Sequence, residues 1–426
     1  MSRSNAALRR QRIRIDLQGH SSMAQPSAFH YDIPSHVPGK VVVDFDIFNP
    51  PGGESDVHMA WKQALQFGPE FVWTPHHGGH WICVRGAALS DIFKDYKNFS
   101  SKEISLPKGQ SPFPLAPTQS DPPEHTDFRA MLNPLLSPKA IAALEAEARE
   151  LAGGLIDGLR LKGECEFVRD FAHVLPIVMF LRIMKLPLED RELLMNLAHR
   201  LARPRDSADK MDAYENIFAY MGNVVNERRA HPGNDPISKF VHGTVNGRPI
   251  RHGEALGMCV NVLAGGLDTV AGLMGFTARF LAESPEHRRQ LIEEPELMRT
   301  SVDEFVRRFG VANVGRIVPR DITYRGVEFK EGEMILLASW MQGVDEACFE
   351  RPLEIDFKRR TPIHTGFGNG IHRCPGSFLG RTELKVFLQE WLTRIPDFSI
   401  RTGARPRSVA GQVFSMGYLP LVWDVR

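Results

Sequence analysis

Residues 367–376 read FGNGIHRCPG, a run in which Gly368, Gly370 and Gly376 surround one histidine and one cysteine. The amphipathic stretch GSFLGRTELKVFLQEWL starts at residue 376. It predicts a helix beginning just after Cys374, which puts the sulfur near a helix N-terminus, a setting that favours thiolate. The glycines let the backbone turn tightly enough for N–H groups to approach the sulfur and tune its electron donation. Taken alone, such a cysteine reads better as a buried structural residue in a glycine-rich turn. A zinc site of His364, His372 and Cys374 is a third reading, but it lacks a fourth ligand at customary spacing.

The surrounding chain narrows the choice. Its 426 residues are 42% hydrophobic and 24% charged, with a formal net charge of +1. That balance suits a large globular protein and excludes nucleic acid or an anionic membrane as the main partner. Cys83, Cys165, Cys259, Cys348 and Cys374 form no C-x-x-C pair, so a disulfide framework is not expected and a reducing cytoplasm fits. The opening MSRSNAALRRQRIR is basic but lacks an apolar core and a cleavage site. Residues 1–30 read as a mobile tail and 31–426 as one domain. Amphipathic patterning predicts helices over 137–160, 187–202, 211–230, 252–283, 285–293 and 296–309, with Ser284-Pro285 separating two of them. A hairpin is expected over 71–86, FVWTPHHGGHWICVRG, whose His76, His77 and His80 read as a solvated turn rather than a metal site. Short β signals lie in VNGRPI and over 321–337. The fold class is mainly α with small β-sheets.

Residues 255–281 are long and apolar enough to test as a membrane span, but Asp268, Asn261 and five glycines favour a buried helix. Within it, AGGLDT occupies 264–269. Two adjacent glycines cost roughly 2 kcal/mol relative to alanine in a helix interior, so a close approach to the backbone is expected there, with tight helix packing as the simple account. Asn261, Gly265, Asp268 and Thr269 share one helical face, and Thr269 can bond back to the Gly265 carbonyl and open the helix locally. Glu304 and Arg307 stand one turn apart, which in isolation reads as a surface ion pair.

F-x-x-G-x-x-x-C-x-G is the haem-ligand signature of the cytochrome P-450 superfamily, and Phe367, Gly370, Cys374 and Gly376 match it in full. AGGLDT resembles that family's acid-alcohol pair, and Glu304-x-x-Arg307 resembles its E-x-x-R pair, completed by Arg359. The resemblance implies the single triangular haem-thiolate monooxygenase fold, haem b as cofactor, and Cys374 as the axial metal ligand, which pushes electron density toward O–O cleavage. It assigns proton delivery to Asp268 and Thr269, a place beside the haem to Phe367, and propionate binding to His125, Arg129, Arg316 and His372. Glu304, Arg307 and Arg359 become structural supports of the cysteine loop. A haem-thiolate sensor or electron carrier would share Cys374 without needing the Asp268-Thr269 groove.

Stretches such as VVVDFDIFNP, SDPPEHTDFRA and SPEHRRQLIEEPE extend the likeness to the bacterial camphor hydroxylase subfamily, over nearly the whole chain after about residue 30. The position of the camphor-binding tyrosine falls on Phe113, which removes the hydroxyl donor to the ketone and argues against camphor. The other pocket positions map to Ile104, Leu115, Thr118, Asn261, Ala264, Ala312, Val314 and Val413, a mainly apolar set. A terpenoid or ionone-like norisoprenoid is the expected substrate, with O2 as co-substrate. No strand followed by G-x-G-x-x-G is present, so electrons must come from a separate partner. The resemblance implies a [2Fe-2S] ferredoxin with its NADH-dependent reductase, a cytoplasmic monomer, and a docking patch of Arg373, Arg381 and Lys385.

Overall fold

A computed structural model describes residues 32–65, 68–109, 114–202, 207–360 and 363–425. The N-terminal tail and Phe113 lie outside these residues. Helix α1 (Val57–Leu65) leads into the hairpin β1 (Phe71–Thr74) and β2 (His80–Cys83). Helices α2 (Gly86–Ile92), α3 (Glu124–Leu132), α4 (Pro138–Ala142) and α5 (Glu145–Arg160) follow, then β3 (Glu164–Glu166). Next come α6 (Val174–Met184), α7 (Arg191–Ala202), α8 (Ser207–Ala230) and α9 (Pro236–Val241). The two-stranded β4 (Thr244–Val245) and β5 (Arg248–Pro249) precede α10 (His252–Glu283), α11 (Pro285–Glu293) and α12 (Met298–Phe309). Four strands follow, β6 (Asn313–Ile317), β7 (Ile322–Tyr324), β8 (Val327–Phe329) and β9 (Met334–Ala338). The chain closes with α13 (Ser377–Arg394), β10 (Ser399–Ile400), β11 (Arg407–Val409), β12 (Ser415–Tyr418) and β13 (Pro420–Val422).

The largest sheet has the order β1-β2-β9-β6, with β2 and β9 parallel and the other pairs antiparallel. Its β6 edge turns the alternation of a strand to use: Ala312, Val314 and Arg316 fall on one face. The expected hairpin over 71–86 is present, and its histidines are tied to carboxylates, His76 to Asp44 at 2.7 Å and His77 to Asp46 at 2.6 Å. The carboxyl of Asp46 is held near 2 by its hydrogen bonds to Asn49, His77 and Phe48, which outweigh the opposing effect of burial.

The 32-residue α10 is the axis of the fold. Its composition would let it cross a membrane, yet it is a core helix, with 61% of its most apolar window buried. Small residues bring neighbours onto its backbone. A Cβ at Gly257 would overlap the carbonyl oxygen of Pro114, one at Gly272 the carbonyl oxygen of Phe414, and one at Gly275 would lie 2.8 Å from the Met416 side chain. Gly265 and Gly266 differ, since nothing lies within 4 Å of a Cβ built on either. The close approach expected at this pair is therefore found one to two turns away on both sides, and the pair itself borders open space.

We expect Gly272→Ala to cost about 1–3 kcal/mol in chemical denaturation, because the carbonyl it meets is backbone and cannot move aside cheaply. Gly266→Ala should leave stability equal or raise it by up to about 1 kcal/mol.

Candidate active site

Residues 364–376 lie against α12 and the end of α2. Gly370 adopts φ +66° and a Cβ there would sit 2.5 Å from the Phe93 carbonyl, so only glycine permits both the turn and the contact. Gly368 is likewise left-handed, at φ +68°. The loop is closed by the Cys374 N–H donating to the Phe367 carbonyl at 2.9 Å and the Gly368 N–H donating to that of Thr365 at 2.7 Å. Cys374 precedes α13 by three residues. The residue is exposed. Burial pushes the thiol up, while the Gly376 N–H and the guanidinium groups of Arg129, Arg381 and Arg373 oppose that shift.

Midway along α10 the burial of the helix is interrupted. Residues 255–260 and 270–278 are buried, whereas Ala264 and Gly265 are exposed and Asp268 and Thr269 half-buried. The Thr269 hydroxyl donates to the Gly265 carbonyl at 2.7 Å, one turn back along an uninterrupted helix. The same face carries Asn261, whose amide oxygen accepts from the Thr118 hydroxyl at 3.1 Å.

The residues expected to wall the pocket are mainly apolar. Ile104 is buried, and its carbonyl accepts from the Gly315 N–H and the Gln412 amide. Ala312 and Val413 form a β-bridge, Val314 is half-buried beside them, and Leu115 packs on the helical cluster around α10.

Below Val314 on β6, basic groups converge. Arg316 is buried, its guanidinium donates to the Gly315 carbonyl at 2.7 Å, and burial lowers it to about 10. The His125 and His372 rings are 4.3 Å apart, and both Nε2 atoms are buried with no hydrogen-bond partner. Burial, then Arg129, lowers His125 to about 4; burial, then Arg316, lowers His372 further. Arg129 donates to the Arg373 carbonyl at 3.0 Å, joining this cluster to the cysteine loop.

Behind the loop, Glu304 and Arg307 are both fully buried. Two parallel bonds of 2.8 Å join them, and Arg359 reaches Glu304 at 3.0 Å. The surface ion pair suggested by spacing alone is thus a buried triad.

The sequence matches the cytochrome P-450 family over residues 180–399, more than half of the chain. This chain belongs to the cytochrome P-450 family. It is 32% identical to a probable cytochrome P-450 127A1 of Sinorhizobium fredii, over 92% of this chain and 97% of that protein. Crystal structures of CYP101J2 and CYP101C1 share 38% and 39% identity with it. Each covers 92% of this chain and 100% of the other, with TM-scores of 0.84 and 0.85. The chain is therefore a haem-thiolate monooxygenase of the mainly helical P-450 fold.

The residues fit that cofactor. Two guanidinium groups, with the buried and unsatisfied His125 Nε2 beside them, form a donor set for carboxylates, the chemistry of haem propionates. The cysteine is exposed, and α10 has a stretch at Gly265 and Gly266 without side-chain bulk. Bound haem supplies the iron at which O2 is activated.

The expected basic patch needs correction. Arg381 and Lys385 are not open charges: Arg381 pairs with Asp303 at 2.8 Å and lies over the Phe367 ring, and Lys385 pairs with Glu145 at 2.7 Å. Glu383 between them, which reads as surface charge in sequence, is 1% exposed. As for zinc, no group of three metal-binding side chains is assembled among the described residues. His364 instead accepts from the Gly366 N–H at 3.1 Å.

Burial raises Glu383 from 4.5 to about 8, and its Oε1 has no partner. The folded state thus keeps a proton that the unfolded chain releases, so stability declines as pH rises from about 4.5 to 8. Glu383→Gln should abolish that decline, read as urea midpoints that no longer fall across this range. Pro375 has no N–H to offer the sulfur, whereas Gly376 does. Pro375→Leu restores a donor and should raise the haem reduction potential in a spectroelectrochemical titration; an unchanged or lower potential would refute the tuning role.

Proposed function

We propose that this protein is a ferredoxin-dependent monooxygenase that inserts one oxygen atom of O2 into a C–H bond of a small terpenoid or norisoprenoid, such as an ionone-like ketone. The observation that supports this reading is an exposed Cys374 in a glycine-turned loop, together with an α10 whose burial lapses at Ala264 and Gly265, and Ile104, Leu115, Ala312, Val314 and Val413 are read as the apolar walls of the pocket between them. In it Cys374 is the axial ligand, and Phe367 packs beside the haem. His125, Arg129, Arg316 and His372 receive the propionates. Asp268 and Thr269 deliver protons, Thr269 from a hydroxyl already turned toward the gap at Gly265. Glu304, Arg307 and Arg359 brace the cysteine loop.

Electrons come from a [2Fe-2S] ferredoxin and its NADH-dependent reductase, docking where Arg373 is exposed beside Cys374. A single catalytic domain over 31–426, acting as a cytoplasmic monomer, completes the proposal. A sensor or electron carrier would not need the hydroxyl and carboxyl placed on one face of α10.

Spin-state titration of the haem-loaded protein with monoterpenes, sesquiterpenes and ionones is expected to give saturable shifts; silence across all three panels would refute the substrate class. Reduced protein should show the red-shifted Soret band of a thiolate-ligated carbon monoxide complex. Thr269→Ala should lower product formed per NADH several-fold with a matching rise in hydrogen peroxide. Unchanged coupling would remove Thr269 from proton delivery.

A further inference from the structure

The apolar cleft contains one polar pair whose orientation is fixed from outside. The segment carrying Leu115 and Thr118 is held on α10 at Gly257, where absence of a side chain lets the Pro114 carbonyl touch the helix. It is also closed on itself, since the Leu115 N–H donates to Gln119 Oε1 at 2.9 Å and the Gln119 N–H donates to the Leu115 carbonyl at 2.9 Å. One turn after Gly257 stands Asn261. The Thr118 hydroxyl donates to its Oδ1 at 3.1 Å, so the amide oxygen is engaged and both N–H donors of the amide point away from Thr118. Asn261 is half-buried and makes no other side-chain hydrogen bond among the described residues.

We infer that Asn261, held by Thr118 as a positioning residue, is the specificity-determining donor of the cleft and binds a carbonyl oxygen of the substrate. The inference rests on the terpenoid or norisoprenoid reading above and adds to it an oxygen-bearing class and an orientation. Asn261 precedes Thr269 by eight residues on the same face, a rise of roughly 12 Å along the helix. A ketone anchored at Asn261 therefore presents its far, hydrocarbon end to the Thr269 region beside Gly265. Hydroxylation is expected at a carbon remote from the carbonyl. A hydrocarbon of equal size can fill the same apolar walls, but it leaves the amide donors unpaired, so the site favours the ketone by the worth of a neutral hydrogen bond.

The test compares dissociation constants, from spin-state titration of the haem-loaded enzyme, for β-ionone and the hydrocarbon of the same skeleton lacking the carbonyl. Wild type is expected to bind the ketone about fivefold to tenfold more tightly. Asn261→Leu should remove that preference by weakening the ketone alone, and Asn261→Asp, which replaces the donors by acceptors, should weaken it at least as much. Thr118→Val keeps the shape, frees the amide to rotate, and should reduce the preference in part without changing hydrocarbon binding. Products of the wild-type reaction should carry the hydroxyl on the ring rather than next to the carbonyl. Equal binding of ketone and hydrocarbon by wild type, or an Asn261→Leu loss shared by both ligands, would overturn the role of Asn261 while leaving the terpenoid reading intact. Failure of both ligands to bind would overturn both.

Discussion

Glu304 carries its charge in a place without water, and the loops around the cysteine depend on how that charge is met. Removing two ions from water costs several kcal/mol each, so such a pair persists only where its remaining donors and acceptors are satisfied. Here they are. Beyond Glu304, the Arg307 guanidinium donates to the carbonyls of Gly343, Pro352 and Glu354, and the Asp356 N–H donates to Glu304 at 3.0 Å. Arg359 adds the carbonyls of Glu350 and Arg351. Irregular backbone from 343 to 359 is thereby fastened to α12. The start of the cysteine loop rests on the same helix, since a Cβ at Gly366 would lie 2.7 Å from the Val306 carbonyl. A charge hub and a glycine contact on one helix together set where Cys374 can be.

Glycine does two opposite things along α10. At 257, 272 and 275 the missing side chain is filled by a neighbour, which draws the wall segments at 114–118 and 414–416 onto the helix. At 265 and 266 it is filled by nothing, which leaves room along the helix. Contact glycines fix the distance of the walls and cleft glycines fix the width between them. The lost helical propensity is offset by burial of most of the remaining helix in the core.

Elements with a sided pattern were legible in the sequence, as were the cysteine loop, the α10 face and the ion pair, because each is local. The helix expected over 137–160 is broken at Ala143 into α4 and α5, and the one over 187–202 begins with a short 3-10 turn. What escaped has physical causes. Helix α6 reads VLPIVMFLRIM and buries ten of its eleven residues, so it has no polar face and hence no amphipathic period to detect. The parallel pairing of β2 with β9 joins residues some 250 positions apart, beyond any local signal. Glu383 is buried because α13 packs against α5 and α10, which its neighbours in sequence do not reveal. The Thr118–Asn261 bond spans 143 residues and could not be seen at all without the fold.

The basic cluster under β6 shows why its two histidines differ in role from its two arginines. Arg316 and Arg129 keep their charge at any working pH, even with burial lowering both. Two more positive charges on rings 4.3 Å apart, beside buried Arg316, would have to be borne in a low-dielectric interior. The imidazoles therefore stay neutral; the proton of His372 sits on the ring nitrogen that bonds the Ser120 backbone, which leaves His125 Nε2 as the ring atom able to donate without adding charge. Arginines supply the field and His125 supplies direction. Neutral rings beside two cations keep the buried positive charge of the cluster at two. Asp121 offsets part of the burial cost at Arg316 and His125, and the alternation of residues along β6 puts Arg316 on the same strand face as Val314.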